Sequence, residues 1–122
     1  MPLRPTIYVQ IFADRFLVRN VDTGASTEVA RNMEFSSPRM LIADFTMAQQ
    51  QLREAVRKVG KGFLGAEMLV HPMELIEGGV TQVERRTFVE LGIGAGASKV
   101  AVWSGQPLSG DTVKKRIREY GH

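Results

Sequence analysis

The sequence predicts an α/β fold, a mixed five-stranded sheet with helices on its faces, in the order βββ-α-β-α-β-α. Three observations predict it. The N-terminal third holds short β-branched and aromatic runs separated by turn signals, as consecutive antiparallel strands require. Two later stretches repeat apolar residues at helical spacing, and each is followed by a short apolar run, the pattern of a crossover to a parallel strand. At 122 residues, 43% hydrophobic and 24% charged, the chain has room for one core and is expected to be a single domain.

The elements follow in order. Thr6 to Phe12 (TIYVQIF) and Phe16 to Val21 (FLVRNV) read as strands; Asp22-Thr23-Gly24 is a turn signal, and an alternating stretch through Ala30 completes a meander. Ala48, Leu52, Ala55, Val56 and Val59 recur on one side of an amphipathic helix from Thr46 to Val59, opposite Gln49, Arg53 and Arg57, and Gly60 and Gly62 end it. Glu67 to Val70 is a short apolar strand stopped by His71-Pro72. After Gly78-Gly79, the residues Thr81-Gln82-Val83-Glu84 form a capping box that opens a second helix, expected to stop near Leu91 at Gly92, Gly94 and Gly96. Lys99 to Trp103 reads as a buried strand, and Asp111 is expected to cap a last helix with Val113, Ile117 and Tyr120 on one side. A meander followed by two crossover units is the ribonuclease-H-like topology, which many unrelated functions share.

Composition excludes several classes. Without cysteine there is no disulfide framework, thiolate metal site or cysteine nucleophile, which fits a reducing compartment. Mean hydropathy is -0.11 and no apolar run approaches membrane-spanning length. The start, Met1 to Thr6, lacks a signal-peptide apolar region, so the expected location is cytoplasmic. The net charge of +3 is gathered at Arg53, Arg57, Lys58 and Lys61 and at Lys114, Lys115, Arg116 and Arg118. These read as solvated helix faces; a nucleic-acid-binding module is the alternative, against which stands the lack of interleaved aromatic residues.

Few residues carry chemistry. Gly92 to Gly96 has the glycine spacing of a dinucleotide loop but follows a helix and opens a strand, the reverse of what such a loop needs. His71 and His122, the two histidines, lie far apart in sequence, so no metal site is expected, and His71 reads as a strand-end residue. Two-metal hydrolysis on this topology needs a carboxylate on the first strand, where Gln10 stands. Asp14 in the adjacent turn is either its replacement or a turn-forming residue.

The segment "LIADF" (Leu41 to Phe45), the strand "MLVHP", "TQVERR" (Thr81 to Arg86) and "GAGASKV" (Gly94 to Val100), in that order and spacing, resemble the bacterial actin-like rod-shape-determining family, MreB. The likeness is dense from Leu41 to Val100, weaker in the first strands and absent after Pro107. Proteins of that family clamp ATP between two such lobes, and the resemblance to the first lobe alone implies that the second phosphate loop and adenosine pocket are lacking. The short link from Ala30 to Leu41 implies that the inserted subdomain is lacking too. Aligning the first hairpin puts Gln10, Ile11, Phe12 and Ala13 where the family carries Asp-Leu-Gly-Thr, whose carboxylate organises metal and whose glycine admits phosphate. The charge is lost and Phe12 fills the phosphate's space. Near the family's water-positioning glutamate this sequence reads Ser104-Gly105-Gln106-Pro107, where Gln106 either mimics that group or is a loop residue.

Phe63-Leu64, between Gly62 and Gly65 and just after Lys58 and Lys61, resembles the MreB loop whose apolar pair dips into the inner membrane. Two readings stand: a weak membrane tip, or a pair folded onto the core or a partner. Together these observations lead us to expect a non-catalytic, single-lobe, MreB-like binding protein of the bacterial cell-shape or cytoskeletal apparatus, without a cofactor and peripheral at most to the inner membrane. Phe12 and Trp103, uncovered where nucleotide and second lobe would sit, lead to an expected homo-oligomer, a dimer in its simplest form, or a protein partner. The alternative is a residual nucleotide-binding or phosphoryl-hydrolysing enzyme using Asp14, Gln106 and a metal.

Overall fold

The computed structural model describes residues 4–30, 45–60, 62–74 and 79–121. Its elements are β1 (Thr6–Ile11), β2 (Arg15–Asn20), β3 (Ser26–Ala30), α1 (Phe45–Val59), β4 (Ala66–Pro72), α2 (Gln82–Gly94), β5 (Ala97–Val102) and α3 (Gly110–Tyr120). The five strands form one sheet in the order β3-β2-β1-β4-β5. β1–β2 and β2–β3 pair antiparallel, while β1–β4 and β4–β5 pair parallel. The expected element order and mixed five-stranded sheet are thus present.

Strand alternation sorts the side chains onto two faces. Ile7, Val9, Ile11, Phe16, Val18, Met68, Val70, Val100 and Val102 share a core with Ala48, Leu52, Ala55, Val56 and Val59 of α1 and Phe88 and Leu91 of α2. On the other face Tyr8, Leu69 and Ala101 meet Val113 and Ile117 of α3. The central strands are therefore covered on both sides, as parallel strands generally are, and their polar positions have to find partners inside.

Several boundaries differ from the sequence reading. β1 stops at Ile11, because the Phe12 amide already donates to the Arg15 carbonyl (2.9 Å) across the two-residue turn Ala13-Asp14. β4 extends from Ala66 to Pro72, and β5 runs from Ala97 to Val102. The helix α2 continues through Gly92 and Gly94. Both glycines are there for close approach: a Cβ on Gly92 would meet Val100 Cγ2 at 2.8 Å, and one on Gly94 would strike the Gln49 side chain of α1. The turn that ends the helix is completed by Gly96, at φ 113°. Asp111 lies inside the first turn of α3; the N-cap is Ser109, whose hydroxyl meets Thr112 Oγ1 at 3.0 Å instead of a backbone amide. Tyr120, expected on the apolar side of α3, is half exposed. Residues 41–44 of the "LIADF" block, the link from Ala30 to Leu41, Lys61, Gly78 and His122 lie outside the described residues.

Candidate functional site

The carboxyl ends of β1, β4 and β5 bring together two of the three groups of residues singled out in the sequence. At the β1–β2 turn, Gln10 donates from Nε2 to Met73 Sδ (3.7 Å), and the Ala13 amide donates to Glu74 Oε2 (3.4 Å). Asp14 is exposed and pairs with Arg15 Nη1 (2.8 Å); Arg15 Nε also faces Glu28 (3.5 Å). The Arg15 guanidinium lies 3.9 Å from the centre of the Phe12 ring. Phe12 is thus half-buried beneath a cation, and Asp14 serves the turn and its neighbouring arginine.

Trp103 and Gln106 lie on the loop that follows β5. The Trp103 indole donates to the Gln106 carbonyl (2.9 Å), and the Arg116 guanidinium of α3 lies 4.5 Å over its ring. Trp103 packs partly against the α3 core, so the expectation that Trp103 and Phe12 stand bare in water is corrected. Each has an arginine over it, which sequence spacing did not disclose.

The same loop rests on a buried polar chain that sequence reasoning missed. His71, opposite Gln10 in the β1–β4 register, is 1% exposed. Its Nε2 is 2.9 Å from the Gly105 carbonyl and its Nδ1 is 2.7 Å from the Tyr8 hydroxyl. A carbonyl only accepts, so Nε2 carries the proton and Nδ1 accepts from Tyr8, whose oxygen in turn accepts the Leu108 amide (3.2 Å). Burial lowers the His71 pKa below its ordinary value, against a smaller opposing effect of the Gly105 carbonyl. Burial likewise raises that of Tyr8, partly offset by the Leu108 amide and the charge of Arg19. The available signal was a Tyr and a His in otherwise apolar strands, since such residues must be paired when buried.

The third group lies at the opposite end of the sheet. Phe63 is 88% exposed and Leu64 46%, so neither is folded into the core. A Cβ on Gly65 would meet the Gly96 carbonyl at 3.1 Å, which places this loop beside the turn after α2, and Ile93 in the last turn of that helix is also half exposed. Arg53 binds the Gly94 carbonyl of that turn through Nε (3.0 Å) and Nη2 (2.7 Å), while Arg57 and Lys58 are exposed at the end of α1. Phe63 and Leu64 form an exposed apolar tip.

Among the described residues, no group of three histidine, aspartate or glutamate side chains is placed to hold a metal, and no helix is long and apolar enough to cross a membrane.

What these features define is a mixed α/β protein with a plugged, cation-covered strand end and an apolar loop at the other end. No family model matches the chain. It is 34% identical over 97 residues to the uncharacterized protein YjaA of Escherichia coli (strain K12), in an alignment covering 73% of this chain and 75% of that protein. The chain belongs to the YjaA family.

Proposed function

We propose that this chain is a non-catalytic, MreB-like lobe of ribonuclease-H-like fold that works by binding within the bacterial cell-shape or cytoskeletal apparatus, on the cytoplasmic side. The strand order β3-β2-β1-β4-β5, antiparallel through β1 and parallel beyond it, supports the fold. The observation that carries the non-catalytic reading is the Glu74 carboxylate on the Ala13 amide. In the family that the sequence resembles, hairpin amides receive phosphate. Here one of them faces a negative group that would repel phosphate, and the neighbouring metal-organising position is Gln10, a neutral side chain turned to Met73.

Binding is proposed to use the exposed pair Phe63 and Leu64, against a protein partner, a second copy of the chain or the inner-membrane surface. Burying both would contribute roughly 3 to 5 kcal/mol, enough for a reversible contact. The experiment that tests the non-catalytic reading is calorimetric titration with ATP and magnesium, followed by a phosphate-release assay. No saturable heat and no phosphate release are expected; saturable heat lost in Asp14→Ala would favour the nucleotide-binding alternative, and phosphate release lost in the same variant the hydrolytic one.

A further inference from the structure

Beyond Trp103, whose own amide donates to the Val70 carbonyl (3.0 Å), the loop 104–108 is fastened to the sheet by bonds that converge on a single imidazole. Gly105 is held by His71 Nε2, Leu108 by the Tyr8 oxygen, and that oxygen by His71 Nδ1. Every atom of the chain has one role with neutral His71: Nε2–H donates, Nδ1 accepts, and Tyr8 both donates and accepts. We propose that His71 and Tyr8 form an acid-operated latch, in which a second proton on the imidazole releases the 104–108 loop, and with it the Gln106 carbonyl that holds the Trp103 indole, from a sheet that stays folded.

A proton on Nδ1 sets two donors against each other. To keep both contacts the Tyr8 oxygen has to accept from Nδ1–H and from the Leu108 amide and turn its own hydrogen elsewhere, while a full positive charge sits in a buried site. Among the described residues no carboxylate is placed to compensate it. From β1 the ring faces Tyr8 and, in register, neutral Gln10; from β2 the charge that reaches Tyr8 is cationic Arg19. From α3 the nearest charge on this loop is Arg116, over Trp103. The residues 104–109 carry no ionisable side chain. The described carboxylates of the surrounding elements are engaged elsewhere or exposed: Asp22 with Lys114, Glu119 with Arg116, Glu74 with the Ala13 amide, and Asp111 exposed in the first turn of α3.

Burial of the ring accordingly depresses its pKa, so the closed loop binds the proton less readily than the open one. The sign follows: closure is complete above the ordinary histidine value near 6.5 and weakens as pH falls below it. Opening is local, because residues 104–107 are already exposed and the strands beneath keep their ladder.

Trp103 is the chain's single tryptophan and reports the latch directly. Between roughly pH 7.5 and roughly 4.5, its emission is expected to shift to the red and its quenching by acrylamide to rise, with far-UV circular dichroism constant. In His71→Gln, whose amide reaches Gly105 without titrating, the transition is expected to vanish; in Tyr8→Phe, which takes the donor from Nδ1, its midpoint is expected to move up. Nitrogen NMR of the imidazole in His122→Gln, which leaves His71 as the one histidine, is expected to show the Nε2–H tautomer at neutral pH and protonation with the midpoint of the Trp103 change. The latch is overturned if His71 takes its proton while Trp103 emission stays flat, if His71→Gln keeps the transition, or if circular dichroism is lost in step with the emission.

Discussion

Asn20→Ala removes one side chain that ties two parts of the chain together. Asn20 is fully buried at the end of β2. Its Nδ2 donates to the Val59 carbonyl (3.0 Å) and the Gly60 carbonyl (3.2 Å), and its Oδ1 accepts the Asp22 amide (3.0 Å) and the Thr23 amide (3.2 Å). One amide thus closes the C-terminus of α1, whose last carbonyls have no donor within the helix, and shapes the β2–β3 turn. Val59 is 5% exposed, so its carbonyl loses its donor with no water to replace it, a loss of about 1 to 3 kcal/mol. The Asp22 and Thr23 amides lie in an exposed turn where water takes over, adding at most about 1 kcal/mol between them. The expected cost is therefore about 2 to 4 kcal/mol, a large part of a typical folding stability of about 5 to 15 kcal/mol. Equilibrium urea unfolding measures it as a lower midpoint with unchanged slope. Asn20→Asp keeps both acceptor contacts but turns a carboxylate onto two carbonyls, and is expected to cost at least as much at neutral pH and less in acid. A cost below about 1 kcal/mol for Asn20→Ala would refute the bridging role.

Three further predictions concern the scaffold. Thr81 Oγ1 accepts the Glu84 amide (3.1 Å) while Glu84 returns a bond to the Thr81 amide (3.0 Å), so Thr81→Ala is expected to cost about 1 kcal/mol in the same assay and Thr81→Ser much less. Burial by itself would raise the Asp22 carboxyl, but hydrogen bonds from Lys114 and the Thr6 amide, with the Lys114 charge, hold it below its ordinary value near 3.8. Its contribution to stability is therefore full above that value and drains as pH falls through the lower folded-state value, and Lys114→Met is expected to flatten this acid slope of the urea midpoint. Gly92→Ala should gain helix propensity yet destabilise by about 1 to 3 kcal/mol, because the new Cβ meets the stiff Val100 side chain, and Val100→Ala in the same chain should recover part of the loss.

The elements were legible because their signals are local. The five residues placed on the buried side of α1 are the five that are buried, and the Thr81 capping box stands where its hydroxyl-to-carboxylate spacing put it. Gly92 and Gly94 misled, since a glycine read alone is a helix stop, whereas here Val100 of the sheet crowds Gly92 and the Gln49 side chain lies against Gly94. Asn20 and His71 could be suspected as polar residues in apolar strands, but the Val59 carbonyl that Asn20 reaches is 39 positions away, and the partners of His71 are 34 and 63 away, with no local mark. The arginines over Phe12 and Trp103 escaped notice because a cation finds a ring through the fold: Arg15 does so across the β1–β2 turn and Arg116 from the middle of α3.

The two ends of the sheet make different predictions about association. At the carboxyl end both candidate contact residues are half-buried under guanidinium groups, so a partner there has to displace Arg15 or Arg116 before it touches an aromatic ring. At the amino end Phe63 is 88% exposed on a short loop beside half-exposed Leu64, and Arg57 and Lys58 are exposed in the last turn of α1. Contact there requires no such displacement, and the apolar area is gained at little cost. Light scattering of Phe63→Asp and Phe12→Asp beside the parent chain separates the two surfaces. If the chain self-associates through the tip, Phe63→Asp lowers the mass and Phe12→Asp leaves it unchanged; if through the covered strand end, the pattern reverses. A parent chain that is monomeric, with neither substitution altering its mass or its solubility, would refute self-association through either surface and leave a different protein or the membrane as the occupant of the tip. Vesicles with and without anionic lipid then decide between those two, since lipid binding by the tip together with the exposed Arg57 and Lys58 at the end of α1 is expected to depend on both the ring and the surface charge.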